Sequence, residues 1–281
     1  MSLPSSLTNF LEDPTRSWVT KRYQLRELWR RKTAKLNPQP ILIFGNQKSG
    51  TSAITALLAE ATGLTYTIDI LCRYPGLEES LLYDRTNFEE MIARARYYFS
   101  KNIIKDPSFT FFYPDLCYRF PQAQRVFVLR DPRHNIRSIL NRLQLPGHLE
   151  DLSDNHWHII STRFPAWYPV LDGRAAGHKG STYIETLARR CRHIFQIYLT
   201  NQNEVVPIYY EAFNRHKVHS INRLAEQLGL PIVNSIEPKK DIQFQPKGDT
   251  SVTLESFFGP TNLKLIKDTC RPEMIRLGYD V

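Results

Sequence analysis

The sequence predicts an α/β fold, a single domain with a central parallel sheet flanked by helices on both faces. Three observations carry that expectation. Residues 41–44 and 125–129 form short apolar runs, and a strand covered on both faces loses the polar alternation of a half-exposed one. Helical patterns alternate with these runs at crossover length, as parallel pairing requires. No Gly/Ser-rich linker, repeat or low-complexity tract divides the 281 residues, 42% of them hydrophobic, so one domain over 1–281 is expected.

Residues 17–36 read as a basic amphipathic helix, with Trp18, Tyr23, Leu25, Leu28 and Trp29 among lysines and arginines. It belongs to a basic N-terminal extension over 1–37, and Pro38 and Pro40 end it. Residues 41–44 suit a central strand, and 51–61 a helix closed by Gly63. A short apolar piece follows at 66–71, then a loop at Tyr74-Pro75-Gly76. Helical signal returns over 88–99, and 102–105 is a short strand stopped by Pro107. Residues 115–120 read as helix and 125–129 as the second clear buried strand. Asp131 is placed to cap a helix over 133–143, with Pro132 in its first turn. From 144 to 180 the pattern is irregular and rich in His, Trp, Pro and Gly. Helix is expected over 182–201, strand over 205–210, and helices over 218–228 and 263–277, ending at Gly229 and Gly278.

The formal net charge is +9 and the pI about 9.4, a balance that fits an anionic ligand, nucleic acid or a membrane surface. Basic residues are scattered, with a local excess at 21–35, and no nucleic-acid module accompanies them, so no nucleic-acid partner is expected. Cys72, Cys117, Cys191 and Cys270 are widely spaced without C-x-x-C, which suggests neither a zinc site nor a redox pair and fits a cytoplasmic protein. The first residues lack the pattern of a signal peptide, and the longest apolar runs are strand-sized, too short for a membrane-spanning helix.

The chemistry begins after the first strand, in Gly45-Asn46-Gln47-Lys48-Ser49-Gly50-Thr51-Ser52. A strand, a Gly-bounded turn and a helix N-terminus together make a phosphate cradle, which predicts a P-loop-like sheet that binds a phosphate-bearing ligand. The order departs from a Walker loop, in which lysine follows the second glycine. Here Lys48 precedes Gly50 by two residues, and a P-loop kinase is the weaker of the enzymatic readings. The lysine-bearing loop, Lys105 and Arg130 would all lie beyond the carboxyl ends of strands, where ligands collect in such sheets.

Two segments in this order carry a family resemblance: Lys48-Ser49-Gly50-Thr51-Ser52, and Val128-Leu129-Arg130-Asp131-Pro132 with Ser138 eight residues after the arginine. They resemble the donor-binding motifs of sulfotransferases that use 3′-phosphoadenylyl sulfate (PAPS). Lys105-Asp106-Pro107 is similar to the K-D-P segment of the branch containing tyrosylprotein and many bacterial carbohydrate and small-molecule sulfotransferases. Tyr209-Tyr210-Glu211 resembles a Y-E-D segment, with Ala212 in the last place. The resemblance covers about residues 40–143 and 205–281 and does not reach 144–180.

It implies that Lys48, Ser49, Gly50, Thr51 and Ser52 hold the 5′-phosphosulfate, and that Arg130 and Ser138 hold the 3′-phosphate. Arg142, one helical turn beyond Ser138, shares its face. Tyr210, Lys247 and Gly248 join the nucleotide site by the same likeness. Lys48 would neutralise charge on the leaving phosphate and Lys105 would act as a second cation. Asp69, at the place of the branch's carboxylate base, would accept the acceptor's proton, and its apolar context suits that role. No histidine stands beside Lys105, although His134, His156, His158 and His178 are available as bases. The segment 144–180 would form the acceptor-binding lid, and the acceptor stays open among a sugar, phenol, lipid headgroup or tyrosine hydroxyl. No metal is expected. The contrasting reading is a non-catalytic protein that binds nucleic acid or a membrane surface through 21–35.

Overall fold

The computed structural model describes residues 33–74, 77–83, 87–242 and 251–281. Five strands form one parallel sheet in the order β2-β3-β1-β4-β5. They are β1 (Ile41–Gly45), β2 (Tyr66–Ile68), β3 (Ile103–Lys105), β4 (Gln124–Leu129) and β5 (Val206–Tyr209). β1 lies between β3 and β4, with Ile43 opposite Lys105 on one side and Val126 on the other. Its residues are all buried, which is why its sequence shows no polar alternation.

Successive residues nevertheless serve different cores. Ile41, Ile43, Val126 and Val128 pack with α1 (Thr51–Thr62) and α10 (Lys217–Gln227), through Ile54, Leu58, Ile221 and Leu224. Leu42, Phe44, Phe127 and Leu129 face a larger core supplied by α5 (Pro132–Leu143), α8 (Tyr183–Asn201) and α11 (Leu254–Arg276). The other α-helices among the described residues are α2 (Leu77–Leu82), α3 (Phe88–Arg94), α4 (Tyr113–Arg119), α6 (Asp154–Arg163), α7 (Tyr168–Asp172) and α9 (Tyr210–Arg215). Each edge of the sheet is blunt: β2 has three residues, and β5 carries the exposed Pro207, which has no N–H to donate.

Several boundaries differ from the sequence reading. The segment 144–180 is not irregular throughout, because it contains α6, a 3-10 turn at Pro165–Trp167 and α7. Ser153 and His156 form a reciprocal capping box that starts α6, with histidine where glutamate or glutamine is usual. The span of the last helix joins two helical stretches across Gly259, which is non-helical at φ 68° and ψ 168°; the second stretch matches the helix expected over 263–277, and the first, from Leu254, is additional. The helix expected over 88–99 stops at Arg94, and a 3-10 turn follows at Tyr98–Ser100. Tyr210 opens α9 rather than ending the strand. Most of the predicted basic helix 17–36 lies outside the described residues, and residues 34–36 are not helical. Among the described residues no helix is long and apolar enough to cross a membrane.

Phe127 is wholly buried, with Phe44 and Tyr198 ring centroids at 6.2 and 5.3 Å. Phe127→Ala should cost about 3–5 kcal/mol of unfolding free energy, read as a lower urea midpoint. A loss below about 1 kcal/mol would mean that the core closes over the gap.

Candidate active site

Each of the five strands delivers, at its carboxyl end, a residue to the same cavity of about 1030 Å³. Lys48 follows β1, Asp69 follows β2, Lys105 ends β3, Arg130 follows β4 and Tyr210 follows β5. Eight basic side chains line it against four acidic ones. The sheet register thus converts an apolar scaffold into a positively charged mouth.

The β1 loop is held tight. Gly45 has a φ of 140°, and a Cβ there would lie 2.8 Å from the Val128 carbonyl oxygen, so only glycine lets β4 pass so close. The Ser49 hydroxyl donates to the Asn46 carbonyl oxygen at 2.7 Å, and the Ser49 N–H donates to that same oxygen at 3.2 Å. Ser49 is buried and does not line the cavity, so its polar groups shape the turn instead of facing a ligand, unlike the expectation from sequence. Gly50 starts α1 with no side-chain cap and no acidic residue in the first turn, leaving N–H groups at the cavity wall. Thr51 and Ser52 line that wall.

Lys48 lies in the left-handed region at φ 63°. Burial, then the charges of Arg142 and Arg130, lower its pKa from the ordinary lysine value to about 8. The Arg130 guanidinium donates through NH1 to the Lys48 carbonyl oxygen and stacks 4.2 Å from the Tyr210 ring centroid. Tyr210 in turn rests on Gly50, where a Cβ would come within 2.3 Å of its ring. Burial lowers the Arg130 pKa, opposed by Tyr210 and Glu211, and its buried Nε has no hydrogen-bond partner. A buried cationic N–H without an acceptor is what a phosphate oxygen would satisfy. Ser138 and Arg142, from α5, line the same wall.

At the opposite wall Lys105, only 3% exposed at its side chain, donates to Ser52 Oγ at 2.9 Å and to Asp69 Oδ1 at 2.6 Å. Asp69 is therefore ion-paired, with a side chain 39% exposed, rather than in the apolar setting its neighbours in sequence suggest. The reason is a left-handed turn at φ 53°, fixed by its N–H to the Lys105 carbonyl at 2.9 Å. Asp106 accepts from the N–H groups of Leu71 and Ser108 and holds the two turns together.

His134 lines the cavity, whereas His156 caps α6, His158 is exposed and His178 is buried. From 144–180, Ala166 and Trp167 reach the cavity wall. Lys247 and Gly248 lie outside the described residues. Sequence reasoning passed over Arg137, a buried cation that lines the cavity and donates to the Val252 carbonyl at 2.9 Å. It also passed over the buried Asn46, Asn135 and Arg190 behind the loop. Arg137 lies three residues after His134 and four before Asn141, a helical spacing along the cavity-lining face that could have signalled the first, and no local pattern marks the others.

The topology and site define an α/β protein with a cavity at its strand tips lined by more basic than acidic side chains. The architecture is that of the sulfotransferases, on two solved structures. Sulfotransferase STF9 from Mycobacterium avium superposes with a TM-score of 0.56 at 11% identity, over 92% of this chain and 82% of that one. Sulfotransferase STF1 from Mycobacterium tuberculosis H37Rv gives 0.52 at 13% identity, over 89% and 81%. These likenesses establish the fold. No protein-family model and no curated protein matches the sequence.

Gly50→Ala meets both a positive φ and the Tyr210 ring. It should cost about 1–3 kcal/mol and lower Tm. An unchanged Tm would show that Tyr210 does not need its seat on the loop.

Proposed function

We propose that this protein is a sulfotransferase that moves a sulfuryl group from PAPS to a hydroxyl acceptor. The observation that carries the proposal is the meeting of the Lys48 loop and Arg130 in one cavity, joined by the hydrogen bond from Arg130 to the Lys48 carbonyl. One ligand with two separated anionic groups suits such a pair of cations. The cavity is large for one nucleotide, which leaves room for an acceptor beside it.

In this reading Lys48, the first-turn N–H groups of α1 and the hydroxyls of Thr51 and Ser52 bind the 5′-phosphosulfate. Arg130, through its unsatisfied Nε, binds the 3′-phosphate with Ser138, and Arg142 adds charge at the same wall. The acceptor oxygen bonds to sulfur as the bond from sulfur to the phosphate oxygen breaks. Negative charge grows on that leaving oxygen, and Lys48 neutralises it. Asp69 takes the hydroxyl proton. Lys105 holds Asp69 in place through its hydrogen bond, and contributes positive charge beside Ser52. The acidic member of a sulfuryl site would then be oriented by a cation that itself touches the donor loop. The four free cysteines support a reducing, cytoplasmic setting.

A thermal-shift comparison of adenosine 3′,5′-bisphosphate, 5′-ADP and ATP with Mg²⁺ tests the reading. Selective stabilisation by the first is expected, and Arg130→Ala should lose most of it. Equal shifts with all three, or a preference for ATP with Mg²⁺, would overturn it.

Because Lys48 sheds its proton near pH 8, it is charged below that value and neutral above it. Affinity for adenosine 3′,5′-bisphosphate should therefore fall as pH rises from about 7 to 9, where an ordinary lysine would stay charged. Calorimetry on the wild type and on Lys48→Arg checks this, the arginine variant holding its affinity across the range.

A further inference from the structure

We infer that Arg190 is a positioning residue of this site: from α8 it fixes Asn46 and Gln47 and thereby sets how Lys48 faces the cavity. The inference takes its ligand from the donor reading above and its geometry from the packing behind the loop.

Arg190 is 2% exposed, on a stretch of α8 where Leu187, Cys191 and Ile194 are also buried. An aliphatic side chain would be the cheaper occupant, since a buried guanidinium is strongly disfavoured unless acceptors meet its N–H groups. Its Nε donates to Asn46 Oδ1 at 3.0 Å, and NH2 donates to Gln47 Oε1. Its planar head lies 4.5 Å from the Phe111 ring centroid. The two acceptors are the side chains of the residues immediately before Lys48.

Both amides are used again. Asn46 Nδ2 donates to Asn135 Oδ1 at 2.7 Å, and Asn135 Nδ2 donates to the Gln47 carbonyl at 2.9 Å. Gln47 Nε2 donates to Ser108 Oγ at 3.2 Å, and the Gln47 N–H donates to Asn46 Oδ1 at 2.9 Å. Turning either amide over would break several of these bonds at once, so the arginine decides which oxygen points inward. The next residue, Lys48, takes the left-handed conformation, which a non-glycine residue keeps only where its surroundings enforce it. A lysine at 190 would retain charge but could not span two acceptors with fixed geometry.

Competitive acetylation of amines, read by mass spectrometry across about pH 6–11, titrates Lys48 individually. In the wild type the midpoint should lie about 8, held there by burial and by Arg142 and Arg130. In Arg190→Met it should move toward the ordinary lysine value of about 10.4 as the loop loosens. Binding of adenosine 3′,5′-bisphosphate, measured by calorimetry, should weaken about ten- to a hundredfold. Arg190→Lys should fall between. A residue that only stabilised the fold would lower Tm without moving the Lys48 midpoint. A folded Arg190→Met whose Lys48 titrates like the wild type overturns the inference, and if that variant does not fold, Arg190→Lys decides by the same comparison. If the wild type fails to bind adenosine 3′,5′-bisphosphate while Arg190→Met still moves the Lys48 midpoint, the donor reading falls and the positioning role stands.

Discussion

The site depends on the contact between the tips of two adjacent strands, where the Arg130 side chain reaches the backbone of Lys48. β1 is paired with β4 along its whole length, with Gly45 opposite Val128, so the loops that leave them emerge side by side. A missing side chain at Gly45 lets the two strands close completely. Once they do, the guanidinium can bond the loop carbonyl, and two cations that should repel are held in one cavity. The repulsion is visible in Lys48, whose proton is loosened by burial and by its two arginine neighbours.

Much of the architecture was legible because a sheet buried on both faces writes itself as uninterrupted apolar runs. The centres of β1 and β4 are the clearest examples. The strand–loop–helix unit around Lys48 was legible for a related reason: glycines, a lysine and hydroxyl residues between an apolar run and a helical pattern mark a tight turn at a strand tip. Asp69 is singled out in sequence by likeness to the carboxylate position of the sulfotransferase branch. Its environment was not legible, because the neighbours that matter, Lys105 and Ser52, arrive from other elements. The same holds for Ser49, which reads as a ligand group in sequence but spends its hydroxyl and N–H inside the turn. Helix α6 was missed because a histidine stands where its capping box usually has an acid or amide. Arg190 was invisible, since its function is defined only by what folds against it.

Lys105 joins the two chemical halves of the cavity. It touches Ser52 after the Lys48 loop and Asp69 on the opposite wall, so the proposed base and the proposed sulfuryl-binding residues share one rigid donor. Asp106 reinforces this arrangement from behind by bonding the turn after Asp69. Leu71, Trp167 and Ala166 add apolar surface to a lining that is otherwise rich in arginine and lysine.

The brevity of β2 and the proline in β5 bear on behaviour at high concentration. An open sheet normally ends in rows of unsatisfied peptide groups that invite a neighbouring molecule to extend it. Three residues give a stranger little to zip onto, and Pro207 interrupts the other rim. Crowded copies of this protein should therefore find no ready ribbon along which to stack.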